Sequence, residues 1–445
     1  MFYSSKDKLT IDDIDGFINE HRSKSINFKR LERYYKGKHD IVLNELYKSD
    51  DRHFVVHPYC TYITDMLTGY FMGQPVKYTA INKDTEEDDE LLSNLSDIFR
   101  FNDEQSENLE LAKTCSIKGV APEILWRDKD NRIRFKNLQP VEAFGIYDMN
   151  LEGELKFAIR YYIVLEDDKE IMYIEVYDKN YKHLYRRDEK TVFINSVNHY
   201  FKDIPFIFYE NNEEAMGDFE EIIPLVDAYD IAQTNTLIDM QDFTDAFLVL
   251  VNYTDTSEEA LKQARKDKTL LIDDDGDAKW LTKPVDNKWV EDYKNRLNHD
   301  IHKFSYTPDM TDENFGSNLS GVSLRYKLLA MEQIRSVKER RFKRGLTRRI
   351  ELICNALSYT IKEYDFTGIG IDFNNTLPQN LLEMSQIVTN LSPYMSKESL
   401  LSMLPNIENA KEEIEKKKVE EEEDIDIYTA FTNKVKEGEN LDEEV

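Results

Sequence analysis

Three textures follow one another along the chain. Apolar positions recur at helical spacing over residues 10–36, which read as two short helices. Thr10 and Asp13 are spaced as a capping box, and Gly37 stands where a helix stops. Residues 56–72 predict a further helix, ended by Gly73 and Pro75. Acidic residues crowd 84–90 as in a loop, and 91–118 return to the helical period. The second texture runs from Val120 to Tyr209. Short segments rich in Ile, Val, Phe and Tyr are split by turn signals at Asp128–Asn131, Met149–Gly153 and Asp178–Tyr181. They predict a mainly antiparallel β region, with Phe157–Leu165 and Ile171–Tyr177 as its clearest strands.

The helical period resumes at Phe219, with Pro224 suited to the first turn. It predicts one helix to about Asn252, roughly 40 Å at 1.5 Å per residue. Ile222, Leu225, Val226, Tyr229, Leu237, Met240, Phe243, Phe247, Leu250 and Val251 fall on one side. Asp227, Asp230, Asp239, Asp242 and Asp245 fall on the other, an acidic face whose plainest reading is solvation. Residues 253–287 read as a small α/β insert: a helix over Ser257–Lys266, then strands Thr269–Ile272 and Ala278–Thr282 joined by the hairpin signal Asp275–Gly276. A helix covers about 287–304, and a polar stretch runs from Thr307 to Ser320. A long helical pattern then spans Ser320–Tyr364, roughly 65 Å if continuous. Leu346, Ile350, Ile353, Leu357 and Ile361 form its stripe, with Gly345 as a kink point. A strand over Gly368–Phe373 and a helix over about 378–391 close the pattern. The fold class is α+β, mainly helical.

Composition adds limits. A chain of 445 residues suggests two to four domains, and 40% hydrophobic residues suffice for real cores. The net charge of −29 is a poor match for a protein that grips a nucleic-acid backbone. It fits one that lets DNA slide past, since an acidic wall repels phosphate. Cys60, Cys115 and Cys354 lie far apart without a CxxC or Cys/His cluster, so neither a zinc site nor a disulfide framework is signalled. Met1–Thr10 has no apolar signal region, and the longest strongly apolar run, Ala246–Val251, is far short of a membrane span. The expectation is a soluble protein kept in a reducing cytosol or assembled into a particle there.

No motif for catalysis stands out. Counted as a calcium loop from Asp273, the run Asp273, Asp274, Asp275 and Asp277 puts Ala278 at position 6 and Pro284 at position 12, so a hairpin turn is the better reading. Phosphate-loop, HExxH, GxSxG and GxGxxG patterns are missing. His57 lies near Cys60 without an orienting partner. No catalytic residue, metal or cofactor is expected. One segment breaks the acidic trend: between Arg325 and Arg349 stand ten Lys or Arg and two Glu. A solvated helix surface, contact with acidic neighbouring subunits and contact with nucleic acid all remain open for it. In a ring, the acidic and basic helices could meet head to tail, an interface that closes if the rotation permits. Residues 408–445 hold 15 acids against 6 bases and read as a charged helix or a disordered tail.

Several separated blocks, in order over roughly residues 25–375, resemble the portal proteins of siphophages infecting Gram-positive bacteria. They are YYKGKHDI, TGYFMGQPVKY, IRFKNLQPVEAFGIYD, NNEEAMGDFEEIIPLVDAYD and SGVSLRYKL. The fourth, with Asn211, Asn212, Gly217, Asp218, Glu220, Pro224, Leu225, Asp227, Tyr229 and Asp230, is the most specific. The resemblance implies a portal fold: wing over 1–218, stem helices over 219–252 and 287–306, clip over 253–286, tunnel loop over 307–319, a long kinked helix returning to the wing over 320–391, and crown and acidic tail over 392–445. It implies dodecameric rings at one capsid vertex, made in the host cytoplasm and kept in the virion, through which double-stranded DNA is packaged and ejected without sequence specificity. Terminase, head-tail connector, major capsid and scaffolding proteins are the implied partners; no membrane is. Expected site residues are Asn314, Gly316, Ser317 and Asn318 facing DNA, and Asp274, Asp275 and Gly276 at the clip. Arg335, Arg341, Arg344 and Arg348 are expected at the subunit interface, and the five aspartates on the acidic stem face. The clip insert and the C-terminal region are short for the family. A metal-dependent nuclease and an acidic scaffolding or adaptor protein are the alternatives.

Overall fold

The computed structural model describes residues 2–43, 53–81, 86–151, 153–244, 247–251, 277–281, 287–310, 326–374, 381–401, 413–414 and 416–419. The chain divides into two compact units: Met1–Asn318 with Arg325–Thr376, and Leu319–Leu324 with Leu377–Val445. In the second, the described elements are the helices Leu381–Leu391 and Lys397–Leu401.

The first unit opens with a two-residue strand β1 (Phe2–Tyr3) and helix α1 (Ile11–Tyr35). The Thr10 hydroxyl accepts from the Asp13 N–H at 3.2 Å, and the Asp13 carboxylate accepts from the Thr10 N–H at 3.0 Å, the predicted capping box. Where two short helices were expected, α1 is one helix of 25 residues. At roughly 100° per residue its apolar stripe turns by about a quarter circle or more after Ser25, which mimics a break in the pattern. Ile14 and Ile18 pack on a sheet, while the later turns, with buried Leu31 and Tyr34, meet helices α2 (Tyr59–Met72) and α4 (Glu104–Lys118). Strand β2 (Lys77–Ala80) precedes α3 (Glu86–Asn102). The acids expected in a loop at 84–90 thus reach into the first turn of α3, where they suit the helix dipole. The helical stretch 91–118 is broken at Asp103, whose φ of 51° separates α3 from α4. Gly119 ends α4 at φ 79°, and a Cβ there would lie 1.9 Å from the Ala215 carbonyl oxygen.

The β region is as predicted. Strands β5 (Ala143–Tyr147), β6 (Leu155–Glu166), β7 (Lys169–Tyr177), β8 (Tyr181–Arg187) and β9 (Thr191–Asn198) join β1 in the order β1-β5-β6-β7-β8-β9; only the β1–β5 pair is parallel. Strands β3 (Val120–Arg127), β4 (Ile133–Asn137) and β10 (Phe206–Glu210) form a second sheet, ordered β10-β3-β4.

Helix α5 (Ile223–Thr244) stops before the expected end at Asn252. Phe247–Val251 is instead strand β11, paired antiparallel with β12 (Asp277–Leu281). A short run of Phe, Leu and Val fits a buried helix turn or a strand equally by pattern; the partner strand decides. The expected first strand of the hairpin, Thr269–Ile272, lies outside the described residues, and β12 has β11 as its partner. Helix α6 (Asn287–Phe304) matches its prediction.

Helix α7 (Leu329–Leu357) is shorter than the predicted pattern, and Ile361, placed on its stripe, is exposed beyond its end. The helix is continuous through Gly345, expected as a kink. A Cβ at Gly345 would sit 2.2 Å from Cε1 of Tyr209, so the glycine lets a buried ring lie against the helix backbone. Leu346, Ile350, Ile353 and Leu357 join α2, α3, α4, β3, β4 and strand β13 (Ile369–Asp372) in the main core; β13 pairs antiparallel with β2.

Candidate functional site

Two helices, α5 and α6, leave this body side by side. Tyr59 on α2 fixes their root. Its hydroxyl donates to Oδ1 of Asn298 on α6 at 2.6 Å. Its ring meets Tyr229 of α5 edge-on at 5.3 Å and His302 of α6 at 5.9 Å. The start of α5 therefore lies beside the end of α6, and the pair is antiparallel, closed at its far end by β11 and β12.

The acidic face predicted for α5 is not a solvated one at this root. Asp230 is fully buried and has two histidine partners: Nδ1 of His39 at 2.5 Å from Oδ2, and the His57 backbone N–H, which donates to Oδ1 at 2.9 Å. Nδ1 of His57 lies 3.4 Å from the same oxygen. Burial raises the Asp230 carboxyl, but the hydrogen bonds from His39 and His57 outweigh it and hold the group below the usual carboxylate range. One turn earlier, Asp227 accepts from the Tyr34 hydroxyl at 2.7 Å, and burial pushes its carboxyl up. Asp239 is half-buried. Asp245 and the side chain of Asp242 lie outside the described residues. So do Asn314, Gly316, Ser317 and Asn318, and likewise Asp274, Asp275 and Gly276.

The basic segment divides just as sharply. Arg335 pairs with Glu332 at 2.8 Å and Glu339 at 3.1 Å, Arg341 with Glu210 at 3.1 Å, and Arg348 with Asp203 at 2.7 Å and Glu351 at 2.8 Å. Three of the four arginines expected between subunits thus have carboxylate partners in their own chain. Arg344, the fourth, is exposed and has no ion pair among the described residues.

Two buried pairs escaped the sequence reading. Arg349 is fully buried, bonded to both oxygens of Glu123 at 3.0 and 2.7 Å and to Glu104 at 3.2 Å. Burial works against its charge, yet Glu123 outweighs it and raises the guanidinium well above its ordinary range. The Tyr209 hydroxyl donates to Glu123 at 2.9 Å, which completes the network. Lys338 donates to Asn211 at 2.7 Å and to Asp218 at 2.5 Å, and the backbone N–H of Asp218 donates to the Ser116 carbonyl at 2.7 Å. The loop Asn211–Asp218 is therefore clamped between α4 and α7 immediately before α5. The signal was present, since this loop opens the most specific of the five quoted blocks; periodicity alone does not single it out.

These buried charges tie α7 to strand β3, to α4 and to the loop before α5. A family model described as phage portal protein, SPP1 Gp6-like, matches residues 14–426, and the chain belongs to that family. The portal protein of Clostridium phage phiCD119 is 23% identical over 95% of this chain and 100% of its own length. The portal protein of Bacillus phage SPP1 is 25% identical over 88% of this chain and 80% of its own. The chain's role is a portal's, structural and non-enzymatic. Among the described residues no helix is long and apolar enough to cross a membrane.

Proposed function

We propose that the chain is one subunit of a ring, dodecameric in the capsid, whose central channel passes double-stranded DNA during packaging and ejection at one vertex of the virion. The antiparallel pair α5–α6, rooted by polar contacts in an α/β body, carries this reading. The body to residue 218 is the wing, together with β13. The pair is the stem, and residues 253–286 at its far end are the clip, where Asp274, Asp275 and Gly276 meet terminase and then the head-tail connector. Residues 307–319 are the tunnel loop, with Asn314, Gly316, Ser317 and Asn318 toward DNA, and residues 392–445 are the crown and tail. Capsid and scaffolding proteins surround the wing, and assembly takes place in the host cytoplasm. Exposed apolar residues of the stem, Ile231 and Met240 on α5 with Trp289 and Tyr293 on α6, are 41–65% exposed in the single chain and suit burial between subunits.

The test is electron microscopy of the purified full chain. End-on class averages showing rings with a hole wide enough for a duplex support the reading; compact monomers or dimers at high concentration overturn it. Deleting 311–318 is expected to leave rings intact and to impair packaging.

A further inference from the structure

The described part of α7 holds eight cations. Five of them, Arg335, Lys338, Arg341, Arg348 and Arg349, are ion-paired within the chain at 3.2 Å or less. The other three, Arg340, Lys343 and Arg344, are exposed and have no ion pair among the described residues. They are not scattered. Spacings of three and four place them on one helical turn, where side chains are neighbours and like charges cost a few tenths of a kcal/mol per pair. Helix positions that could neutralise them do not: three and four residues before Arg340 stand Val337 and Ser336, and three and four after it the other two cations themselves. Glu339, four before Lys343, is held by Arg335 at 3.1 Å. Glu210, Asp203 and Glu351 are likewise held by Arg341 and Arg348. Among the described residues of a chain with a net charge of −29, three adjacent cations are thus left without an acid of their own.

We propose that Arg340, Lys343 and Arg344 form a phosphate-binding patch that touches the backbone of duplex DNA, a proposal that rests on the portal reading above. The exposed residues of the turn from Arg340 to Arg344 offer a partner only charge and hydrogen-bond donors. Its nearest exposed apolar neighbours on α7, Val337 and Leu329, lie toward the helix start, so a protein partner would gain little apolar contact on the turn itself. Duplex DNA carries one charge per roughly 1.7 Å of axis, a density that can engage three cations on one turn. The acidic remainder of the chain keeps the contact weak: it repels DNA, but across water this repulsion fades over about 10 Å at 0.1 M salt, while contact at the patch persists. Repetition around a ring turns three cations per subunit into a belt that holds DNA without gripping it.

The experiment compares assembled full-length protein with the triple variant Arg340→Gln, Lys343→Gln, Arg344→Gln. A labelled duplex of mixed sequence is titrated at several salt concentrations, and rings are counted by electron microscopy. The expected result is intact rings, at least a tenfold loss of affinity whatever the duplex sequence, and a log–log salt slope shallower by about 1 for each lost side-chain contact. The pair Arg340→Lys with Arg344→Lys retains binding. Wild-type rings that do not bind duplex, or a triple variant that binds like wild type, overturn the patch and leave the portal reading standing. A triple variant that no longer forms rings shows that the turn joins subunits, and also overturns it. Wild-type protein that forms no ring at any concentration overturns both.

Discussion

Helices α5 and α7 belong to the same compact unit, and they are held in opposite ways. Buried residues recur along α7 from Met331 to Leu357, most of them apolar, with Arg349 as the one side chain there that is charged and fully buried. Burial in α5 stops near its middle: Ile223, Val226, Asp230 and Thr234 are covered, and from Asn235 to Gln241 every side chain is at least partly exposed. The covered half of α5 leans on polar partners, with His39 and His57 on Asp230, Tyr34 on Asp227, and the Val55 N–H donating to Thr234 at 3.1 Å. A helix buried along its length is anchored by area. A helix buried only at its root needs directional contacts, because few apolar neighbours fix its angle.

The strongest way to break this comparison is Arg349→Met. It leaves Glu123 and Glu104 buried without their cation, and removing one partner of such a pair costs about 3–5 kcal/mol. The expected outcome is a large fall in thermal midpoint across the whole first unit. Adding Glu123→Leu restores part of it, since an apolar replacement of the pair removes the stranded charge. A melting curve unchanged by Arg349→Met would mean that α7 is held by area alone.

Asp230→Asn tests the other helix. It removes the charge that two histidines address, at a cost of about 1.5–3 kcal/mol, the scale for hydrogen bonds to charged groups. The loss is expected as local opening: faster amide exchange over the first turns of α5 with little change in the midpoint of the body. Acid offers the same test without a mutation. The folded Asp230 carboxyl sits below its ordinary value, so its stabilisation is present above about pH 3.9 and is lost as pH falls below that toward the folded value. Exchange at the α5 root should rise in that window in wild type and not in Asp230→Asn. Equal acid sensitivity in both would sink the assignment.

How far the sequence anticipated this contrast depends on distance along the chain. The capping box at Thr10, the β region, α6 and the α7 stripe were legible because each is written in spacings of one to four residues. The nature of the α5 face was not. A helical wheel sorts Asp227 and Asp230 away from the apolar side but does not say what stands opposite, and the partners of Asp230 lie 191 and 173 residues away. Arg349 was hidden for the same reason, as one of ten cations in a run; its partner Glu123 is 226 residues distant. The α1 break that was expected and did not occur reflects a helix that changes neighbours along its length. The site residues in the insert and the loop after α6 carry turn chemistry only, which names a place in the chain but not a surface.

The subtlest prediction concerns Gly345. Alanine is the better helix former by about 1 kcal/mol, so propensity alone predicts that Gly345→Ala stabilises α7. Packing predicts the reverse, because the new methyl would stand 2.2 Å from a ring atom of Tyr209. That ring cannot swing away cheaply. It is almost fully buried, tilted against Phe342 with centroids 4.7 Å apart, and tied by its hydroxyl to Glu123. Overpacking of this kind costs about 1–3 kcal/mol, so the net effect is a destabilisation of roughly 0–2 kcal/mol. Adding Tyr209→Leu separates the two terms. In that background the clash is gone, and Gly345→Ala should turn neutral or stabilising, read as a reversal in the sign of the shift in thermal midpoint. If Gly345→Ala stabilises the wild-type chain instead, the close approach of helix and ring is not what the glycine serves.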